Sequence, residues 1–72
     1  MIIATMDIPN KAPVGSLWKD SEGNIFEIIF YANMNILIQS EYPMTIIFKD
    51  MANRIWAKEA RNWFSIFKRI ED

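Results

Sequence analysis

Apolar residues run along this chain in short stretches separated by polar clusters, and the spacing within each stretch predicts the elements. Ile2-Ile3-Ala4-Thr5-Met6 is a candidate first strand. Residues 7–15 hold two of the three prolines and one of the two glycines. They read as a loop, with Pro13-Val14-Gly15 as a turn. Ser16 to Lys19 is a short extended segment, and Asp20-Ser21-Glu22-Gly23-Asn24 is the clearest turn, polar throughout with Gly23 suited to positive φ. Ile25-Phe26-Glu27-Ile28-Ile29-Phe30-Tyr31 is rich in β-branched and aromatic residues and carries one charge, Glu27. Strict alternation assigns Phe26, Ile28 and Phe30 to one apolar face, the expected core face. Between 32 and 43 the pattern weakens. Asn33 and Asn35 predict a turn, Ile36-Leu37-Ile38 a brief strand, and residues 39–43 a loop.

Met44-Thr45-Ile46-Ile47-Phe48-Lys49 is again strand-like, followed by the turn residues Asp50 to Asn53 and then Arg54-Ile55-Trp56-Ala57-Lys58. A hairpin centred between residues 51 and 52 pairs Lys49 with Arg54, Phe48 with Ile55, Ile47 with Trp56 and Ile46 with Ala57. One face then carries Ile46, Phe48, Ile55 and Ala57. The other carries Lys49, Arg54, Ile47, Trp56, Thr45 and Lys58. A rival reading exists. Residues 51–70 lack Gly and Pro, and Ala52, Trp56, Ala60, Trp63, Phe67 and Ile70 recur at helical spacing, with Asp50 as an N-cap. That gives an α+β fold with one C-terminal helix at about 51–70. A divided reading makes 54–58 a strand, 59–66 a helical turn and 67–71 a closing strand or tail.

Composition narrows the function classes. Seventy-two residues allow a single small domain, 1–72, and 51% of them are apolar. A chain of this size buries only about 60% of the surface its unfolded form exposes, so packing must supply its stability and some apolar surface stays outside. There is no cysteine and no histidine. Disulfide staples, thiolate or imidazole metal sites and Ser-His or Cys-His catalysis are therefore excluded. No window approaches a membrane span, and the start breaks at Asp7 without a cationic segment, so neither a transmembrane helix nor a signal peptide is expected. A cytoplasmic protein is the resulting expectation. Net charge is −1. Residues 1–48 carry two cations and five anions, net −3; residues 49–72 carry six cations and four anions, net +2. The balance lacks the positive excess typical of a nucleic-acid binder.

The runs Gly23-Asn24-Ile25-Phe26-Glu27-Ile28-Ile29, Pro43-Met44-Thr45-Ile46-Ile47-Phe48-Lys49-Asp50, Ile55-Trp56-Ala57-Lys58, Trp63-Phe64 and Phe67 together resemble a family of small uncharacterised bacterial and phage domains. The family pattern is Gly-x-Tyr-x-Val, then Val-Val-Tyr, then Trp-x-Arg-Pro-Leu, then Phe. The likeness covers residues 14–70. Lys58-Glu59 stands where the family has Arg-Pro. The resemblance implies a mainly β, SH3-like small barrel with a short helical turn near 59–66, and a viral or mobile-element origin. It transfers no catalytic residue.

Candidate chemistry is sparse. Gly15 and Gly23 lie in no phosphate-cradling sequence, and Asp20 with Glu22 falls short of a calcium loop. No enzymatic activity, metal or cofactor is expected. Trp18, Trp56 and Trp63 are a high density of tryptophan for this length. Trp18 and Trp63 read as core. The hairpin register sets Trp56 on the face with Lys49, Arg54 and Lys58, and an aromatic flanked by cations is a binding signature. Flexible thioethers near predicted loops (Met34, Met44 and Met51) suit either gap filling or contact. The expected function is a non-catalytic protein-binding module, in the phage reading an inhibitor or adaptor of a host protein, with Trp56, Arg54, Lys49, Ile47 and Lys58 as partner contacts. Single-stranded nucleic acid on the same ribbon, and self-association of a sheet edge as monomer goes to homodimer, are the alternatives.

Overall fold

A computed structural model describes residues 7–34 and 41–70. The expected strands at 2–6 and 36–38 lie outside the described residues. The elements are α1 (Asp7–Lys11), β1 (Leu17–Lys19), β2 (Ile25–Ala32), β3 (Thr45–Asp50) and β4 (Ile55–Glu59). A 3-10 turn over Ala60–Asn62, the helix α2 (Trp63–Ile66) and β5 (Lys68–Arg69) complete the elements of the described residues. The fold is mainly β, with one antiparallel sheet in the order β4-β3-β2-β1-β5. The sheet stays open: β4 and β5 are its two edges among the described residues, and no ladder joins them into a closed barrel. The long C-terminal helix is not formed, because residues 55–59 are strand and within 51–70 helical backbone is confined to 60–66.

Residues 7–11, expected as loop, form a five-residue helix. Pro9 is tolerated there because N–H groups in a first turn have no intrahelical acceptor. The turn after it holds as expected. Ser16 N–H donates to the Pro13 carbonyl at 3.0 Å, and Gly15 takes φ 90° at the third position, where a side chain would be strained. Both tight hairpins use one device. In Asp20–Asn24 and Asp50–Arg54 the aspartate N–H donates to the carbonyl four residues on, at 3.1 Å in each. Its Oδ1 accepts the backbone N–H groups two and four residues on. The residue before the closing one is left-handed, Gly23 at φ 86° and Asn53 at φ 65°. A three-residue loop ending in a left-handed residue is a favoured hairpin connection.

This loop corrects the expected register. The observed pairs are Lys49 with Ile55, Phe48 with Trp56, Ile47 with Ala57 and Ile46 with Lys58. The ladder is shifted by one residue from a centre between 51 and 52, because the loop has three residues rather than two. A one-residue shift turns every β4 side chain to the other face. Ile55 and Ala57 leave the core face; Trp56 and Lys58 join it. A second shift occurs in β2, where the ladder passes from Ile28–Phe48 to Phe30–Ile47. This β-bulge turns Phe30 outward, 52% exposed, and sends Tyr31 inward opposite Ile46. Phe26 and Ile28 keep the expected face and Phe30 does not.

The core lies on the inner face of the sheet beneath α1 and the C-terminal helical piece. Trp63 is fully buried. It stacks on Phe67 at 4.1 Å and meets Phe48 and Trp18 edge-on at 4.9 and 5.7 Å. Phe26 closes the cluster against Phe48 and Phe67. Such offset and edge-to-face pairs are favoured by the ring quadrupole. Trp18 Nε1–H donates to Ser16 Oγ at 2.8 Å, so its burial leaves no polar atom unpaired. Trp63 Nε1 is different: it is buried without a hydrogen-bond partner among the described residues. Tyr31 donates its hydroxyl to the Ala12 carbonyl, tying β2 to the segment that follows α1.

Candidate functional site

The open side of the sheet leaves a groove of about 520 Å³ between β4 and the C-terminal helical piece. Phe26, Phe48 and Phe67 form its apolar lining, with Ile66 on one side and Trp56 and Lys58 on the other. The two aspartate loops meet at one end, where Asp20, Asn24, Asp50 and Ala52 line it. The register explains this composition. Phe26 and Asp50 are cross-strand partners, as are Phe48 and Trp56, so all four share the inner face.

Asp50 organises the rim. Its Oδ1 accepts the Ala52 and Arg54 N–H groups at 2.9 and 3.0 Å. Its Oδ2 accepts Arg54 Nε at 2.7 Å and Trp56 Nε1 at 3.0 Å. Burial pushes the carboxyl up; the donors from Trp56, Arg54 and Ala52 outweigh it and hold Asp50 at about 2. The Arg54 guanidinium carbon lies 5.9 Å from the centre of the Trp56 ring. The tryptophan is thus fastened at its nitrogen and flanked on one face, while 46% of it stays exposed. Fixing an exposed aromatic in one orientation lowers the entropy lost when a partner covers it.

Of the five sequence-derived contact residues, the structure brings together three. Trp56, Arg54 and Lys58 line the groove. Lys49 and Ile47 sit on the outer face, paired with Ile55 and Ala57, and Lys49 Nζ lies 3.9 Å from Glu27. Sequence reasoning missed Phe26, Phe48, Phe67 and Ile66 as lining: Phe26 and Phe48 were read only as apolar-face residues, and Phe67 only through helical spacing and the family resemblance. It also took Asp50 only as a turn residue or helix cap. The signal for Asp50 was the repeated Asp-x-x-(Gly/Asn)-x spacing at 20–24 and 50–54.

Among the described residues no cluster of acidic side chains could hold a metal ion. No described helix is long and apolar enough to cross a membrane. Compared with known family models, with curated proteins and with solved structures, the chain matches none.

Proposed function

We propose that the chain is a non-catalytic protein-binding module whose groove receives an extended segment bearing a large apolar side chain. The observation that carries this reading is the half-exposed Trp56, held by Asp50 at the rim of an aromatic-lined groove. Interface hot spots are enriched in tryptophan and arginine set around apolar pockets. The groove volume falls within the usual range of binding clefts, roughly 300–1,000 Å³. Two carboxylates, Asp20 and Asp50, line one end, which weighs against a phosphate backbone as occupant. The likeness to phage and bacterial domains extends the proposal to a host protein inside the cell, met by an inhibitor or adaptor.

The test is selection of displayed random peptides on the folded protein, with affinities then measured for Trp56→Ala and Ile66→Glu. Both side chains are partly exposed, so both variants should fold. Selected peptides should carry a large apolar residue, and each substitution should weaken binding by about tenfold or more. Affinities unchanged by both substitutions would remove the groove from consideration. Steep loss of binding with salt, together with enrichment of single-stranded nucleic acid over peptide, would favour the nucleic-acid alternative.

A further inference from the structure

We infer that β4 is a self-complementary edge through which two copies of this chain pair antiparallel, centred on Ala57. This inference rests on the backbone of β4 rather than on what occupies the groove, with which it shares Trp56 and Lys58.

The direction of the β4 backbone groups follows from the hairpin. Asp50 N–H donates to the Arg54 carbonyl at 3.1 Å, and Ala60 N–H donates to the Met44 carbonyl at 2.8 Å. Both are hydrogen-bonded pairs of one antiparallel ladder. Hydrogen-bonded and non-hydrogen-bonded pairs alternate along such a ladder. Arg54, Trp56, Lys58 and Ala60 therefore turn their main-chain groups toward β3. Ile55, Ala57 and Glu59 turn theirs outward, and no described strand meets them. An edge of this kind is a template for a further strand.

Three of its five side chains do not blunt it, and the charged two, Lys58 and Glu59, sit together at one end. Ile55, Trp56 and Ala57 are all exposed, with Ile55 63% exposed, and the strand contains no proline. Among the described residues Lys58 has no ion-pair partner.

Only one register uses every outward group. Ala57 must face Ala57 of the second copy, which sets Ile55 opposite Glu59 and Trp56 opposite Lys58. Other registers of the right parity leave part of the edge unpaired or push it into the 51–53 loop. The central position carries the smallest side chain of the strand. Each Lys58 ammonium would lie beside the Trp56 ring of the other copy, an interaction made twice across the two-fold axis. Directly opposed residues share a face. The inner faces of the two sheets would therefore lie on the same side, with their grooves adjoining across the axis.

Sedimentation equilibrium across roughly three decades of micromolar concentration reads the association. The full chain should shift from monomer to dimer within that range, and a monomer throughout overturns the inference. Ala57→Pro removes an outward N–H and none of the β3–β4 bonds. It should leave far-UV circular dichroism intact and the protein monomeric; a dimer that persists overturns the inference. Should Ala57→Pro fail to fold, Ile55→Lys and Ile55→Glu give the second reading, both at an exposed position. With Glu59 released from Arg61, which holds it at 2.7 Å, by Arg61→Ala in both backgrounds, lysine opposite it should tighten the dimer and glutamate weaken it, each by roughly two- to thirty-fold over two symmetric pairs. Equal weakening by both would show apolar adhesion without this register and overturn the inference.

Discussion

Trp63 offers the sharpest test of how the core is held, because its packing and its polarity pull in opposite directions. The ring is fully buried and touches three other aromatic rings, Phe67, Phe48 and Trp18. Truncation to alanine forfeits this packing and leaves a cavity, at about 3–5 kcal/mol. A domain of this length has a total stability of about 4–11 kcal/mol, at 0.05–0.15 kcal/mol per residue. Trp63→Ala should therefore lose at least about a quarter of that stability and, at the low end of the range, all of it. Trp63→Phe keeps a ring in the stack and removes the N–H that has no partner among the described residues. The lost ring area costs roughly 1–2 kcal/mol. Relief of an unsatisfied buried donor returns roughly 1–3 kcal/mol. The two nearly cancel, so Trp63→Phe should fall within about 1 kcal/mol of the parent. Urea unfolding followed by far-UV circular dichroism measures both, and with a slope of about 1 kcal/mol/M the two variants should differ in midpoint by several molar. A phenylalanine variant as damaged as the alanine one would refute the reasoning, since it would mean that the indole nitrogen contributes an interaction.

Three further outcomes follow from individual groups. Asp50 sits at about 2 in the folded chain against an ordinary 3.8, so its contribution is full above about 4 and is lost as pH falls through about 2; acid titration of stability should lose most of that slope in Asp50→Asn. Burial raises the Tyr31 hydroxyl to about 12 from 10, so its contribution is full below about 10 and disappears as pH rises through about 12; Tyr31→Phe should flatten alkaline unfolding in that window. At Gly23 nothing lies within 4 Å of an added Cβ, so Gly23→Ala should cost about 1–2 kcal/mol from the left-handed backbone alone, whereas Asn53→Gly at the matching position of the other hairpin should be neutral or stabilising by thermal melting.

Most strands and both aspartate turns were legible because each rests on local chemistry, whereas the short helical turn was preferred to a long helix only through the family resemblance, since no Gly or Pro interrupts the helical spacing of 51–70. Pro13, Gly23 and Asn53 mark backbone reversals through φ alone, and β-branched runs such as Ile46-Ile47 favour extended chain. Trp18 and Trp63 were legible as core for their size. The rest depended on events one residue long. Residues 51–53 form a three-residue loop where two were counted, and the bulge between Ile28 and Phe30 inserts one residue into β2. Neither leaves a mark in a period-2 pattern when residues on both sides are apolar, as Ile28-Ile29-Phe30 and Ile55-Trp56-Ala57 are. Alternation can assign faces only where a polar residue breaks the symmetry. The helix over 7–11 was hidden for a related reason: two nearby prolines speak for a loop, yet Pro9 occupies a first-turn position where it costs nothing.

These one-residue events also decide what the candidate site is. Had the hairpin been centred between 51 and 52, Trp56 would have joined Lys49 and Ile47 on an outer ribbon, a flat cationic surface with an unanchored ring. With the three-residue loop, Trp56 crosses to the inner face, opposite Phe48, and comes within reach of Asp50. Asp50 then does two jobs with one carboxylate. Its Oδ1 closes the loop that sets the register, and its Oδ2 holds the tryptophan and arginine that the register delivers. Loop and rim are therefore coupled. In Asp50→Asn the amide can keep one acceptor oxygen for the loop or offer it to the rim, but a carboxylate's second acceptor is gone. If the loop retains that oxygen, the fold persists while the Trp56 ring gains freedom. Indole N–H resonances read this directly: the Trp18 and Trp63 signals should hold their positions while that of Trp56 moves to a solvent-exchanging one. Simultaneous movement of all three would mean that Asp50 acts through the fold as a whole, and that the rim has no separate anchor.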